Sequence, residues 1–139
     1  MDADELEVLR LTNEIRSTGA VCGDEEMPPV PPLAPNDTVA AVARAHSQDM
    51  GDNGYFSHFD RDGYGNSFRL LDAGLSFSSF AENIAAGYST PQSVVTGWLN
   101  SPGHCKNLLR DRNTQIGIGH AIVDTGYRHY WTQIFIKPN

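Results

Sequence analysis

Three stretches in the second half of this 139-residue chain alternate apolar and polar residues with a period of two. They cover residues 80–86, 115–123 and 130–137, and a short turn at 124–127 separates the last two. This period is typical of strands with one buried face, so the last two strands are predicted to form an antiparallel hairpin. The isoleucines of the second stretch are expected on one face of it: Ile116, Ile118 and Ile122.

The first half of the chain has the 3.6-residue period of amphipathic helices instead. Helices are predicted over residues 4–17, from Asn36 to about 51–54, and over 66–73. A fourth begins at Thr90-Pro91, an N-cap followed by proline, and is predicted to end at Pro102-Gly103. Helices first and strands late, with too few βαβ units for a doubly wound sheet, predict a layered α+β domain.

The length and composition indicate one folded domain spanning residues 1–139. A chain of this size buries most of its apolar surface around a single core, and 40% of its residues are hydrophobic. No apolar run is long enough to span a bilayer, so no transmembrane segment is predicted. Residues 22–35 carry five prolines, which exclude helix and central strand and predict an extended surface loop.

The charge of the chain argues against a nucleic-acid partner. The formal net charge is -7 at pH 7, no basic stripe is visible, and phosphate binding depends on clustered Lys and Arg. Met1 is followed by acidic residues and not by the basic and apolar regions of a signal peptide. A secreted protein whose leader has been removed would begin in the same way.

The two cysteines, Cys22 and Cys105, do not form a metal-type pair such as C-x-x-C, which argues against a zinc-thiolate site. In an oxidising compartment they could form a disulfide, and closing so long a loop would contribute roughly 4 to 5 kcal/mol in the chain-entropy picture. In the cytosol they would be two buried thiols.

Glu82 is the most informative polar residue. Strand periodicity places it on the same face as Phe80 and Ile84, where an unpaired carboxylate would cost several kcal/mol. A histidine, a metal ion or a hydrogen-bonded ligand would satisfy it, and such a group would mark a functional site. The alternative is that Glu82 bonds only to backbone amides at a strand end.

The five histidines divide by their surroundings. His58 lies among turn formers, and His104 follows Ser101-Pro102-Gly103, so both rings can face a cleft. His46 lies on an apolar helical stripe and is expected in the core, whereas His120 and His129 belong to the hairpin and are expected to be satisfied or exposed. No G-x-S-x-G, H-E-x-x-H or P-loop motif is present.

Several segments taken together resemble the CAP superfamily, named for cysteine-rich secretory proteins, antigen 5 and pathogenesis-related proteins, and within it the bacterial SCP-like extracellular domains. They occur in family order along nearly the whole chain: LRLTNEIR, VARAHSQDM, YFSHFDRDG, FAENIAAG, VVTGWLNSPGHCKNLL, QIGIGHA and YWTQIFI. The proline-rich stretch lies outside the shared pattern.

The resemblance implies a three-layer α-β-α sandwich with a mainly antiparallel sheet and a surface cavity lined by two histidines and two acids. By position, the histidines match His58 and His104, and the glutamate of the A-E-N segment matches Glu82. The second acid is missing, because Ser101 stands three residues after Trp98 where eukaryotic relatives have glutamate. The extracellular setting of the family implies that Cys22 and Cys105 are disulfide-bonded.

The function that the resemblance implies is a secreted binding module. His58 and His104 would hold a divalent ion such as zinc, and the cavity of His58, Glu82, His104 and Ser101 would take a small or lipid-like ligand. One alternative is a zinc-dependent hydrolase in which Glu82 is the general base and His58 and His104 are metal ligands. Another is a structural extracellular scaffold that binds a protein partner.

Overall fold

The computed structural model describes residues 1–139 and contains five helices and six strands. In chain order they are α1 (Ala3–Thr18), β1 (Ala20–Cys22), β2 (Glu25–Met27), β3 (Ala34–Pro35), α2 (Asp37–Asn53), α3 (Asn66–Asp72), β4 (Phe77–Ala86), α4 (Pro91–Leu99), α5 (Pro102–Leu108), β5 (Gln115–Ile122) and β6 (His129–Pro138). None of the helices is both long and apolar enough to cross a membrane.

The main sheet has four strands in the order β3-β5-β6-β4, so β4 lies at an edge. β6 pairs antiparallel with both β4 and β5, which confirms the predicted C-terminal hairpin. β3 adds two residues parallel to β5, and β1 and β2 form a separate small hairpin. The register places Glu82 of β4 opposite Ile134 of β6.

Helices cover both faces of this sheet. On one face, Ile134 and Ile136 of β6 pack with α2 and with Leu70 of α3. On the other face, Trp131 and Phe135 pack into a larger cluster with residues of α1, α4 and α5. Alternate residues of β6 therefore lie in two different hydrophobic cores, one on each face of the sheet. The expected three-layer α-β-α sandwich is confirmed.

α2 lies against β5 with almost no space between the backbones. A Cβ atom built on Gly117 would come within 2.2 Å of the Ala40 backbone nitrogen, and one on Gly119 within 2.0 Å of the Arg44 nitrogen. Only glycine permits this approach. In the segment QIGIGHA, the glycines Gly117 and Gly119 therefore face α2, and the isoleucines Ile116 and Ile118 lie on the opposite face, toward α1.

Two expectations about exposure need correction. Ile116 and Ile118 are fully buried, but Ile122, the last residue of β5, is 60% exposed. Phe80 of β4 is also largely exposed, and its ring packs edge-on against Phe77. Strand periodicity identifies a shared face but not how far along the strand that face is covered.

The prediction that Pro102-Gly103 ends the fourth helix is wrong. α4 ends at Leu99, Ser101 is the N-cap of a further helix, and Pro102 occupies the first turn of that helix, α5. Proline suits the first helical position because its missing N–H would have no partner there. His104 therefore lies on a helix and not on a turn.

The proline-rich stretch is only partly an irregular loop, since it contains β2 and β3. Its prolines lie between the strands, except Pro35 on the edge strand β3, where a missing N–H is tolerated. Two side chains of α1 hold it in place: Asn13 exchanges hydrogen bonds with the backbone of Leu33, and the buried Arg16 donates to Pro31 O at 2.8 Å. The predicted surface loop is thus anchored to the core.

The disulfide between Cys22 and Cys105 is confirmed, with a Cα–Cα distance of 5.5 Å. Both cysteines are fully buried, and their bond joins β1 to α5 across a sequence separation of 83. α5 carries His104 immediately before Cys105. The disulfide therefore fixes the helix that presents one of the candidate site residues.

Candidate functional site

Glu82 lies on the edge strand β4 with its side chain only 4% exposed. Two side chains bind its two carboxylate oxygens: His58 Nδ1 donates to Oε1 at 2.9 Å, and Arg69 Nη2 donates to Oε2 at 2.9 Å. The buried carboxylate is therefore paired by side chains and not by strand-end amides. His58 itself is half exposed, so its ring connects the buried acid to solvent.

The loop that presents His58 is held from two sides. Arg69 of α3 donates to the carbonyl oxygens of His58 and Tyr64, in addition to its bond with Glu82. His46 of α2 donates from Nε2 to Ser57 O at 2.7 Å. These bonds fix the backbone on either side of His58, so its ring is positioned by helices and not by the loop alone.

His46 is a buried core residue, as the sequence predicted, and it has this supporting role as well. Burial and the nearby positive charge of Arg69 lower the pKa of His46, which favours the neutral ring. A neutral ring with its proton on Nε2 is the form that donates to Ser57 O. His46 therefore supports the loop that carries His58, and it lines a separate cavity together with Asp49 and Asp60.

His104 approaches from the other side of β4, in the first turn of α5. Its Nδ1 shares a hydrogen bond of 2.8 Å with Ser101 Oγ, the side chain at the position of the missing second acid. Burial, and after it the charge of His58, lower the pKa of His104.

Buried amides attach α5 to β4. Asn83 Nδ2 donates to Gln133 Oε1 at 3.1 Å and to His104 O at 3.3 Å, and Asn107 Nδ2 donates to Asn83 Oδ1 at 2.9 Å. Asn83 follows Glu82 directly and points to the opposite face of the strand. Two adjacent residues of β4 thus position the two histidines. Glu82 bonds the ring of His58, and Asn83 bonds the backbone of His104.

A groove of about 330 Å³ lies beside His104 and Ser101. Seven of its ten lining residues are hydrophobic, including the aromatic side chains of Phe56, Tyr88, Trp98 and Tyr127. Trp98 Nε1 donates to Ile84 O, which places the indole against the edge of β4. The groove therefore offers aromatic surface beside His104 and Ser101. Of the four residues predicted to line one cavity, only these two line it, and His58 and Glu82 do not.

The hairpin histidines form a separate pair. His120 Nε2 and His129 Nδ1 are 2.9 Å apart, and the His120 ring stacks on Trp131 with centroids 3.6 Å apart. Burial and the charge of His129 lower the pKa of His120. Their hydrogen bonds do not involve His58, Glu82 or His104.

The donor atoms available for a metal ion are two imidazole nitrogens. Nδ1 of His58 and of His104 is hydrogen-bonded, whereas no protein group bonds Nε2 of either ring. Both Glu82 oxygens are engaged, and no group of three or more His, Cys, Asp or Glu is arranged to hold a metal. The described side chains therefore form no closed protein site, and any ion held here would need solvent to complete its shell.

Arg69 is the site residue that sequence reasoning missed. The pattern indicates that Glu82 needs a partner, but it does not point to Arg69, which is one of several basic residues scattered along the chain. A usable signal was its position on the short helix that directly follows the His58 loop. Arginine is also the side chain best suited to bind a carboxylate and backbone carbonyls at once.

A sequence profile of the Cysteine-rich secretory protein family (CAP) matches residues 9–135. Among curated proteins, the chain is 39% identical over 137 residues to the protein YkwD of Bacillus subtilis, covering 98% of this chain and 48% of YkwD. The chain thus spans about half the length of this relative.

Two solved structures extend the comparison. An extracellular protein containing an SCP domain from Bacillus anthracis superposes with a TM-score of 0.80 at 37% identity, covering 96% of this chain and 40% of that one. NaASP2, solved with Zn²⁺, superposes with a TM-score of 0.64 at 10% identity, covering 99% of this chain and 85% of that one. The second likeness, at such low identity, concerns the fold alone.

Proposed function

The chain belongs to the cysteine-rich secretory protein family, and we propose that it is an extracellular binding module whose cavity at His58 and His104 takes a divalent metal ion. The observation that carries this proposal is the matched arrangement of the two imidazoles. Each is fixed through Nδ1, by Glu82 or by Ser101, and each leaves Nε2 without a protein partner.

A hydrogen bond at one ring nitrogen is how proteins orient a metal-binding histidine. The partner sets the tautomer and the ring plane and raises the basicity of the other nitrogen. Glu82 does this for His58 with a full charge, and Ser101 does it for His104 with a neutral hydroxyl. Two imidazoles would supply two ligands to zinc, and water would complete the shell. Such a site is open to a further ligand.

The aromatic groove is the proposed place for that ligand. Its volume of about 330 Å³ lies at the small end of ligand pockets, and its mostly apolar lining suits a small or lipid-like molecule. His104 lies both at the groove and at the proposed metal position. A ligand in the groove would therefore place a polar end near the metal.

The extracellular assignment rests on the disulfide and on the relatives. Stable disulfides form in oxidising compartments, and Cys22–Cys105 is formed here. The Bacillus anthracis protein with an SCP domain is described as extracellular. Both observations favour a secreted protein over a cytosolic one.

The engagement of Glu82 favours binding over zinc-dependent hydrolysis. A general base must have a free lone pair within reach of a water molecule. Here Arg69 and His58 each bind one oxygen of Glu82. The Glu82 side chain is only 4% exposed, so its remaining lone pairs have little access to water, and its arrangement is that of an orienting group.

Zinc calorimetry on the metal-free protein tests the proposal. We expect one ion per chain, with the affinity reduced by at least about tenfold in His58→Gln and in His104→Gln, since each removes one ligand. His120→Gln is the matched control and should leave this affinity unchanged. Equal affinity in all four proteins would overturn the proposal, and zinc-dependent turnover of peptide or ester panels would favour the hydrolase.

A further inference from the structure

We propose that α3 and the loop before it form a docking surface for a second extracellular protein, which presents an apolar side chain flanked by Lys or Arg. The surface comprises residues 59–72 and the adjoining face of α2. It adjoins the proposed metal site through Arg69, which also bonds Glu82, but the proposal does not depend on metal binding.

Exposed hydrophobic side chains concentrate on this surface. Of eleven large hydrophobic residues exposed in the whole chain, four fall within residues 59–71: Phe59, Tyr64, Phe68 and Leu71, each between 45% and 59% exposed. The rings of Tyr64 and Phe68 stack with centroids 4.1 Å apart, so they form a rigid aromatic face. Exposed apolar side chains that cluster in this way mark interaction sites more often than scattered single residues do.

A groove beside the aromatic face can receive a side chain. It has a volume of about 410 Å³, lies between α2 and α3, and is lined by Val42, Ala45, Phe68 and Asp72 among others. A second cavity of about 330 Å³ shares Ala45, Asp60 and Arg69 with it, and adds Asp49 and Asp62. The two cavities adjoin at these shared residues; the first has an apolar floor on α2, and the second is lined mainly by charged side chains.

The charge along the two adjoining cavities is negative. Asp60, Asp62 and Asp72 lie on their rim, and neither Asp62 nor Asp72 has a side chain in any of the five ion pairs of the molecule. Arg69 is committed to Glu82 and to backbone carbonyls, which leaves Arg61 as the other basic residue of the lining.

The exposed aromatic residues and the negative charge together indicate the chemistry of the partner. Carboxylates attract Lys and Arg and speed their association, and the faces of Phe68 and Tyr64 add cation–π attraction. A neutral apolar partner would use the aromatic residues but would bury these carboxylates without compensation. A cationic segment with a central apolar residue satisfies both.

The test uses a panel of short labelled peptides that place Leu, Phe or Trp between Arg or Lys residues, and matched peptides with Glu in place of each basic residue. We expect the basic peptides to bind, the acidic ones not to bind, and binding to weaken at high salt. The double variant Asp62→Lys/Asp72→Lys should reduce affinity by about tenfold or more, because two attractions become repulsions. Phe68→Ser should reduce it independently of salt.

The matched control is Glu25→Lys/Glu26→Lys, which makes the same change of net charge on the exposed strand β2. Equal loss of binding in both double variants would show attraction to net charge alone and overturn the proposal. Absence of binding by the basic peptides would overturn it as well. Binding of anionic lipid vesicles through the same residues, or self-association abolished by Phe68→Ser, would replace the proposed partner with a membrane or a second copy.

Discussion

Two buried glutamates, Glu5 and Glu82, each pair with an arginine, yet only one of them belongs to the candidate site. Glu5 is fully buried at the start of α1, bonds Arg44, and accepts backbone N–H bonds from Asp2 and from His120 at 2.8 Å each. The carboxylate of Glu82, by contrast, bonds only two side chains, those of Arg69 and His58.

The difference lies in what the carboxylate holds. Glu5 holds backbone, joining the capping box of α1 to β5, so its role is to keep two elements together. Glu82 holds a half-exposed imidazole whose other nitrogen has no protein partner. Arg44, the partner of Glu5, also reaches solvent but has no lone pair to offer a ligand. A buried acid is therefore a functional marker when it orients a side chain that can itself bind a ligand, and burial alone would have selected both residues.

The largest effect expected from this comparison is on stability at Glu5. Glu5→Ala should lower the free energy of unfolding by about 2 to 4 kcal/mol, because it leaves the buried N–H of His120 without an acceptor and removes the bonds of Asp2 and Arg44. Arg44 is 45% exposed and can be solvated, which keeps the loss below that of a fully buried pair. Urea unfolding measures it.

The control for this variant is Glu14→Ala on the same helix. Glu14 pairs with Arg10 at 3.1 Å on the exposed surface, and such pairs contribute about 0.3 to 0.5 kcal/mol. If both variants lose the same stability, Glu5 does not have the structural role described for it.

The next effect concerns zinc at Glu82. Glu82→Gln should weaken zinc binding by roughly 10- to 100-fold, the range for loss of a carboxylate behind a metal-binding histidine. Stability should fall by only about 1 kcal/mol, since glutamine keeps the shape and one carbonyl acceptor. Glu5→Gln is the matched variant, and zinc calorimetry should find its affinity unchanged. If Glu5→Gln weakened zinc binding and Glu82→Gln did not, Glu5 and not Glu82 would be the glutamate that supports the metal site.

Much of the fold was predictable because it depends on local periodicity. The helices α1, α2 and α3 and the strands β4, β5 and β6 lie within a few residues of their predicted bounds. The start of α5 was missed because Pro102-Gly103 favours both a helix end and a helix start, and only the packing of Cys105 and Leu108 into the core decides between them.

Glu82 could be identified from sequence because its strand neighbours imply burial. Its partner Arg69 could not, since a helix position alone does not show that the guanidinium turns under the loop of residues 57–64. Glu5 was overlooked for a similar reason. An acid in the first turn of a helix is normally explained by the helix dipole, and its bond to His120 depends on the contact between α1 and β5.

A smaller effect is expected from pH at the Glu5 end of the sheet. Burial, then the charge of His129, lower the folded-state pKa of His120 below its ordinary 6.5, against the opposing effect of nearby acids including Glu5. The unfolded chain therefore binds a proton that the folded chain does not. This contribution to stability is complete above about pH 6.5 and is lost as the pH falls toward the lowered folded value.

The variant His120→Phe keeps an aromatic ring to stack on Trp131 and removes this titration. Urea unfolding between pH 7.5 and 5.5 should give a flatter stability profile for the variant, by at most about 1.4 kcal/mol per pH unit. A parallel profile would mean that His120 is protonated alike in both states.

The smallest effect tests whether the residue that orients a histidine must be charged. Ser101 bonds His104 Nδ1 as Glu82 bonds His58 Nδ1, but the Ser101 hydroxyl is neutral. Ser101→Ala removes the bond at His104 Nδ1 and should weaken zinc binding by about twofold to tenfold, the equivalent of one neutral hydrogen bond. Ser101→Asp should strengthen it, since a carboxylate raises the basicity of the ring. Aspartate also suits the N-cap position that Ser101 occupies in α5, so the helix should be retained.

Calorimetry on the two variants gives opposite shifts in zinc affinity if His104 is a ligand oriented in the same way as His58. Identical affinities in Ser101→Ala, Ser101→Asp and the unchanged protein would show that zinc does not depend on the orientation of His104, and His58 with Glu82 would then be the whole of the metal site.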